Sequence, residues 1–126
     1  MRARVAIVVP VYNAAARVGK VVEACLAQEY PSDRLEIVFV DDGSVDDSGT
    51  VLRAYPIVVL SRPNGGPARA RNAGWQGTKA EIVCFTDDDC LPEPGWVGKL
   101  VAQFDDPQVG AAGGSYGIAN PEDWLA

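Results

Sequence analysis

The sequence predicts an α/β domain in which helices cover both faces of a mainly parallel sheet, giving three layers. Four short runs rich in Val and Ile recur along the 126 residues without alternating with polar residues, as strands buried on both faces do. Helical patterns separate these runs, and such alternation gives parallel strands joined by right-handed crossovers. Apolar residues form 48% of the chain, which is enough for one buried core.

The four predicted strands are apolar runs of four or five residues, a usual length for a strand in a buried parallel sheet. Each run is bounded by polar or turn-forming residues. The runs are Val5–Val9, Ile37–Val40, Ile57–Leu60 and Ile82–Phe85.

Apolar residues at helical spacing predict four helices, the third of which has a proline in its first turn, where no backbone N–H is needed. We also predict a short fifth strand over Val109–Ser115 and a helix capped by Asn120, where the sequence has only six residues left. These features suggest that residues 1–126 are the first part of a longer domain. The four helices are Ala14–Leu26, Asp46–Tyr55, Pro67–Gln76 and Trp96–Phe104.

The composition excludes several classes of function. The chain has no histidine, which rules out Ser-His-Asp and Cys-His catalysis and histidine-ligated metal sites. Its formal net charge of −6 argues against a nucleic-acid-binding surface. Without a C-x-x-C pair, Cys25 and Cys84 are predicted to be core residues in a reducing compartment, while the role of Cys90, beside the acidic cluster, stays open. The apolar runs are too short to span a bilayer. We therefore expect a cytoplasmic domain, which in the intact protein could lie at the inner face of the membrane.

A polar or turn-forming cluster follows each predicted strand. The carboxyl ends of parallel strands share one edge of a sheet, and ligands bind in the crevice along that edge. We therefore expect the four clusters, which are distant in sequence, to line one site. They are Pro10-Val11-Tyr12-Asn13, Asp41-Asp42-Gly43-Ser44, Ser61-Arg62-Pro63-Asn64-Gly65-Gly66 and Thr86-Asp87-Asp88-Asp89.

Three consecutive acids, Asp87 to Asp89, form the most informative cluster. Their charges repel one another unless a cation offsets them. Hard oxygen donors favour Mg²⁺ or Mn²⁺, and such a metal keeps open positions that phosphate oxygens can fill. The alternative is an acidic loop or a helix cap that binds no metal.

The other clusters also allow two interpretations. Asp42 could accept a hydrogen bond from a base N–H or a ribose hydroxyl, or it could belong to an ordinary Asp-Gly-Ser turn. Tyr12 could stack on a base or pack at the end of its strand. The glycine-rich turn before the third helix offers backbone N–H groups to an anion. Positive charge beside the acids, or only a solvated helix face, comes from Arg62, Arg69 and Arg71.

With these clusters in this order, the sequence resembles the family 2 glycosyltransferases of the GT-A fold. The resemblance covers roughly residues 4–115. Each motif alone is modest, but their order and spacing together are specific. The matching stretches are Val8–Asn13, Val40–Ser44, Asn64–Gly74 and Phe85–Asp89, with Pro94-Gly95-Trp96-Val97 as the usual continuation.

The resemblance implies a nucleotide-diphosphate sugar donor, most often a UDP-sugar, and a DxD element that holds Mn²⁺ or Mg²⁺ against the diphosphate. Asp89 matches the metal ligand, with Asp88 as the second choice. Asp42 matches the acid that contacts the base. The positions assigned to the nucleotide sugar are Pro10, Tyr12, Asn13, Asp42, Gly66, Arg71, Asp87 and Asp88.

The resemblance also implies the reaction, in which an acceptor hydroxyl displaces the nucleoside diphosphate with inversion at the anomeric carbon. A carboxylate would take the proton of the acceptor, which could be a saccharide or a lipid-linked molecule. In the family this base lies downstream of the DxD element, and no acid after Glu93 has an equivalent context. We therefore predict that residues 1–126 are a nucleotide-sugar-binding domain without its acceptor-binding part. The alternative is a module that binds nucleotide sugar and metal without catalysis.

Overall fold

The computed structural model of the chain describes residues 3–106 and 108–110. Its strands are β1 (Val5–Val11), β2 (Leu35–Asp41), β3 (Val58–Ser61) and β4 (Ile82–Phe85). They form one sheet in the order β3-β2-β1-β4, and each neighbouring pair is parallel. The predicted parallel sheet is confirmed. The predicted strand over Val109–Ser115 lies mostly outside the described residues, and the predicted helix at Asn120 lies wholly outside them.

The four predicted helices are present as α1 (Val18–Leu26), α2 (Ser48–Arg53), α3 (Pro67–Gln76) and α4 (Trp96–Gln103). A short 3₁₀ turn over Ser32–Arg34 precedes β2. The third helix has the predicted bounds. None of the helices in the described part of the chain combines the length and the hydropathy needed to cross a membrane.

Two helices are shorter than predicted at their amino ends. The prediction that the first begins at Ala14 is wrong: residues 14–17 form a turn in which the Ala14 carbonyl accepts the Arg17 N–H at 3.0 Å, and the Ala14 N–H donates to the Ser48 hydroxyl, 2.8 Å away. The prediction that the second begins at Asp46 is also wrong, because the Asp46 carboxylate accepts the Ser48 N–H at 2.9 Å, as a residue that precedes a helix does.

Alternate residues of β1 pack into two separate cores on opposite faces of the sheet. The odd-numbered residues of β1 lie in one core with Val18 of α1, Leu52 of α2 and Val97 of α4. Val8 lies in the other core with Ala70 of α3. Helices therefore cover both faces, which confirms the three-layer α/β/α architecture.

Burial on both faces holds for the central strands but not for the edges. All seven residues of β1 are buried, as are the last five of β2. The prediction is wrong for β3, in which no residue is buried, and for β4, in which Cys84 alone is buried. These two strands lie at the edges of the four-stranded sheet, where a neighbour is present on one side only.

Gly74 lets α3 lie directly against the sheet. A Cβ atom at this position would be 2.3 Å from Cγ1 of Val8 and 3.2 Å from Cγ2 of Val40. Both distances are shorter than ordinary van der Waals contact, so only glycine fits without a shift of the helix. This close approach fixes the amino end of α3, at Gly66 and Pro67, beside the carboxyl edge of the sheet.

The cysteines agree with their predicted structural role. Cys25 and Cys84 are buried, and all three cysteines are free. Burial raises the pKa of Cys25 to about 12 and that of Cys84 to about 11, because a thiolate is poorly solvated in the core. Both therefore stay neutral thiols at physiological pH.

The direction in which strands are added to the sheet reverses at β1. The chain adds β2 and β3 on one side of β1 and then places β4 on the other side. In open parallel sheets such a reversal opens a crevice at the carboxyl ends of the strands. The residues that follow β1 and β4 flank this crevice.

Candidate functional site

A cavity of about 330 Å³ lies at the carboxyl edge of the sheet. It brings together residues that follow β1, β2, β3 and β4, as the positions of the polar clusters predict. Every residue predicted to contact the nucleotide sugar or the metal lines it, with the exception of Asn13. The lining comprises Pro10, Val11, Tyr12, Asp42, Asn64, Gly66, Pro67, Arg71, Asp87, Asp88 and Asp89.

Asp42 is the most constrained acid of the cavity. Its side chain is only 4% exposed. Oδ1 accepts the N–H of Gly65 at 3.1 Å, and Oδ2 accepts the N–H of Gly66 at 2.9 Å and the side-chain amide of Asn64 at 3.2 Å. Nε of Arg62 lies 3.5 Å from Oδ1. The carboxylate therefore holds the glycine-rich turn in place, with its charge offset by an arginine.

The glycine-rich turn is not a free anion site. The sequence predicted that its backbone N–H groups face an anionic ligand, but those of Gly65 and Gly66 already donate to Asp42. That prediction is wrong because the chain supplies its own anion at this helix end. Gly43 supports the same contact, since it has a φ of 76° and a Cβ there would be 2.6 Å from the backbone nitrogen of Asn64.

Asn13 lies outside the cavity lining and joins two loops. Its N–H donates to the hydroxyl of Ser44 at 2.9 Å, and its side-chain oxygen accepts the N–H of Val45 at 2.9 Å. Asn13 has a φ of 49°, a left-handed conformation that asparagine tolerates better than most residues. These hydrogen bonds connect the loop after β1 to the loop after β2.

Asp88 also contacts the loop after β1. Its Oδ2 accepts the N–H of Tyr12 at 3.1 Å, and its Oδ1 lies 3.1 Å from a guanidinium nitrogen of Arg17. The Asp88 side chain is 16% exposed. Both carboxylate oxygens are therefore bound to groups of the chain itself.

Asp87 and Asp89 have the geometry of metal ligands. One oxygen of each and the sulfur of Cys90 lie within 4.8 Å of one another. Asp89 is exposed, and the Asp87 side chain is 50% exposed and pairs with Arg71 at 3.0 Å. Two accessible carboxylates that converge in this way fit Mn²⁺ or Mg²⁺. Desolvation raises the pKa of Cys90, which disfavours the thiolate form that binds metals.

Tyr12 presents its ring to the cavity while its backbone is fixed. The residue is 48% exposed, so the interpretation of Tyr12 as a packed strand-end aromatic does not fit. Its N–H is bound by Asp88. An accessible aromatic ring on a fixed backbone suits the stacking of a planar base.

Sequence reasoning missed Arg17, which contacts an acid of the site. Arg17 precedes α1, 71 positions before its partner Asp88, and no local motif pairs them. Asn64 was expected at the site with its cluster, but its role was not: its side-chain amide donates to both the carboxylate and the carbonyl oxygen of Asp42.

Comparisons with known proteins agree with this geometry. The family model described as glycosyl transferase family 2 matches residues 6–125. Glycosyltransferase AglE of Haloferax volcanii is 28% identical over 128 residues, which cover 97% of this chain and 42% of AglE. The chain thus spans less than half the length of this relative.

Solved structures show the same fold. The mannosyltransferase PcManGT of Pyrobaculum calidifontis, in complex with GDP-Man and Mn²⁺, is 32% identical with a TM-score of 0.78; the match covers 87% of this chain and 34% of that one. TarS residues 1–349 of S. aureus, in complex with UDP-GlcNAc, is 26% identical with a TM-score of 0.75; the match covers 84% and 32%. The fold is thus that of the GT-A enzymes, and the chain belongs to glycosyl transferase family 2.

Proposed function

We propose that this chain is the donor-binding part of a metal-dependent, inverting glycosyltransferase that uses a nucleotide-diphosphate sugar and that also has an acceptor-binding part outside residues 1–126. One observation carries the proposal. The cavity at the reversal of the sheet joins an accessible aromatic ring, an arginine and two convergent, accessible carboxylates.

We assign the lining residues to the two parts of the nucleotide. Pro10 and the ring of Tyr12 would form a wall for the base, and Asp42 would contact the base. Arg71 and the acids Asp87 and Asp89 would face the diphosphate, and all of these residues line the cavity. A UDP-sugar is the proposed donor, since it follows from the resemblance. A solved relative with UDP-GlcNAc supports that choice, although another contains GDP-Man.

Mn²⁺ or Mg²⁺ held by Asp87 and Asp89 would act as a Lewis acid on the diphosphate leaving group. Arg71 would add a positive charge beside Asp87, whose carboxylate it already contacts. Asp88, the second choice as a ligand, is occupied by Tyr12 and Arg17. Asp89 remains the first choice of ligand because it is exposed and converges with Asp87.

The acceptor-binding part and the general base are proposed to lie beyond Ala126. The chain spans about a third of each of the two structural neighbours, so the remaining part of such enzymes has room for both. A saccharide or a lipid-linked acceptor, inversion by direct displacement and a cytoplasmic location all stay predictions.

Calorimetry of the 126-residue chain with UDP and with GDP, in the presence and absence of Mn²⁺, tests the donor site. We expect binding that Mn²⁺ strengthens, and we expect Asp89→Ala to remove that strengthening. Asp33→Ala is the matched control, because this exposed acid lies just before β2, at the opposite end of the sheet.

Absence of binding by both nucleotides in Mn²⁺ would show that the donor site is wrong. Hydrolysis or transfer assays with a panel of nucleotide sugars then test for turnover. Metal-dependent binding without any turnover by the intact protein would favour the non-catalytic module.

A further inference from the structure

We propose that Asp88, the middle acid of the DxD element, is a positioning residue that acts together with Arg17 and does not bind the metal. The pair would fix the backbone of Tyr12, which forms one wall of the cavity, in its position relative to Asp87 and Asp89. This inference rests on the donor site proposed above, but part of its test does not depend on a nucleotide.

The two oxygens of Asp88 are bound to two different segments. Oδ2 accepts the N–H of Tyr12 in the loop after β1, and Oδ1 contacts Arg17 in the turn before α1. Both distances are 3.1 Å. A single carboxylate thus joins the end of β4 to the end of β1 and to the entry of α1, across the crevice where the strand order reverses.

The neighbouring acids have a different environment. Asp87 and Asp89 contribute to the cluster of oxygen and sulfur donors in the described part of the chain, and Asp88 is not a member of it. Its side chain is 16% exposed, against 50% for Asp87. A carboxylate that gave its oxygens to a metal would have to release both Tyr12 and Arg17.

Arg17 also makes Asp88 a poorer ligand for a metal cation. The guanidinium already offsets this carboxylate at close range. Asp87 has an arginine partner too, but its carboxylate is far more exposed than that of Asp88, so a cation can compete with the arginine more easily. A metal ion could therefore bind Asp87 and Asp89, whereas Asp88 is already paired with Arg17.

The test compares nucleotide affinity with and without saturating Mn²⁺, using whichever of UDP and GDP binds the wild-type chain more tightly. A positioning role predicts that Asp88→Ala weakens affinity about tenfold under both conditions, since a charge-assisted hydrogen bond is lost, and leaves the ratio of the two affinities unchanged. Asp89→Ala, in contrast, should bring that ratio to about one. Loss of the ratio in Asp88→Ala would overturn the proposal.

Arg17 supplies a second variant that removes no acid. Arg17→Met should weaken nucleotide affinity by a similar factor, and the double variant with Asp88→Ala should be no weaker than either single one, because the two side chains act as a unit. Asp88→Asn should recover part of the affinity, since its amide oxygen can still accept the Tyr12 N–H. Additive losses in the double variant would contradict the proposed pairing.

Amide hydrogen exchange of the unliganded chain tests the positioning directly. Exchange of the Tyr12 N–H should be faster in Asp88→Ala than in wild type and should not change in the control Asp33→Ala. Unchanged exchange at Tyr12 would overturn the proposal even if nucleotides bind. If no nucleotide binds but Tyr12 exchange is faster, the donor site is wrong and the positioning role of Asp88 stands.

Discussion

The acids after β2 and the acids after β4 have the same chemistry and opposite environments. Asp42, after β2, is almost fully buried, and Gly65, Gly66 and Asn64 all donate to its carboxylate. Asp89, after β4, is exposed and converges with Asp87. Both groups lie at the same edge of the sheet and line the same cavity.

The two groups of acids differ in whether the chain itself supplies hydrogen-bond donors to their carboxylates. After β2 the chain brings its own backbone amides to the carboxylate, so the acid organises the protein. After β4 two of the three carboxylates keep accessible oxygens, so they are available to a ligand. Loss of the acid after β2 should therefore reduce the stability of the fold more than loss of an acid after β4, and each prediction below tests one side of this contrast.

The largest expected effect is on the β2 side. Asp42→Ala leaves the backbone N–H groups of Gly65 and Gly66 without their acceptor and Arg62 without its partner, and it should lower the free energy of unfolding by about 3 kcal/mol. Urea denaturation measures this change. The matched variant Asp89→Ala should change stability by about 0.5 kcal/mol or less. Equal losses in the two variants would contradict the contrast.

A backbone change should disturb the same turn from the other side. Gly43→Ala forces a left-handed φ on alanine and places its Cβ against the backbone nitrogen of Asn64. We expect a loss of about 2 kcal/mol in urea denaturation. Gly110→Ala is the control, because no atom of the described residues lies within 4 Å of a Cβ placed there. A stable Gly43→Ala would show that the turn can move away from Asp42 at little cost.

On the β4 side, removal of a charged partner should affect binding far more than folding. Arg71→Met breaks an ion pair whose side chains are 38% and 50% exposed, and such pairs contribute about 0.5 kcal/mol to stability. Nucleotide affinity should fall, because a positive charge beside the diphosphate is lost. Arg69→Met on the same helix, outside the cavity lining, is the control. An unfolded Arg71→Met would mean that the β4 side is structural too.

The smallest effect should appear as a pH dependence on the β2 side. The hydroxyl of Ser48 donates to Asp46 and lowers the pKa of its carboxyl. Because the pKa of Asp46 is lowered in the folded state, its ionised carboxylate stabilises the fold at pH values above the ordinary carboxyl pKa of about 4. This stabilisation is lost as the pH falls through the lowered pKa. The difference in urea midpoint between wild type and Asp46→Ala should therefore be larger at about pH 6 than at about pH 3. A difference that grows on acidification would contradict this.

The order of the elements could be predicted because it depends on local patterns. α3 and β4 have their predicted bounds, while β1 extends beyond Val9 to Val11. Strand β1 ends where its pairing with β2 ends, at Val11 opposite Asp41. A run of apolar residues cannot show where a partner strand ends. The start of α1 was missed for a similar reason, since the turn before it is bound through the Ala14 N–H to Ser48, 34 positions away.

The convergence of the site could be predicted, but the role of each acid could not. Parallel strands bring their carboxyl ends to one edge whatever the details of packing, so the cavity follows from topology. Whether a carboxylate is available depends on donors distant in sequence, such as Arg17 for Asp88 and Gly66 for Asp42. Asn13 shows the same dependence, because its partners Ser44 and Val45 are distant in sequence.

Helix α1 holds the loop between β4 and α4 at both of its ends. Before the helix, Arg17 contacts Asp88. After it, the buried amide of Gln28 donates to the carbonyl of Glu93 at 2.7 Å and accepts the N–H of Val97 at 3.0 Å. The stretch from Leu91 to Pro92 is thus a short span between two fixed supports. We expect residues inserted between Leu91 and Pro92 to leave Asp88 and α4 in place, so the length of the chain can vary at this span independently of the site.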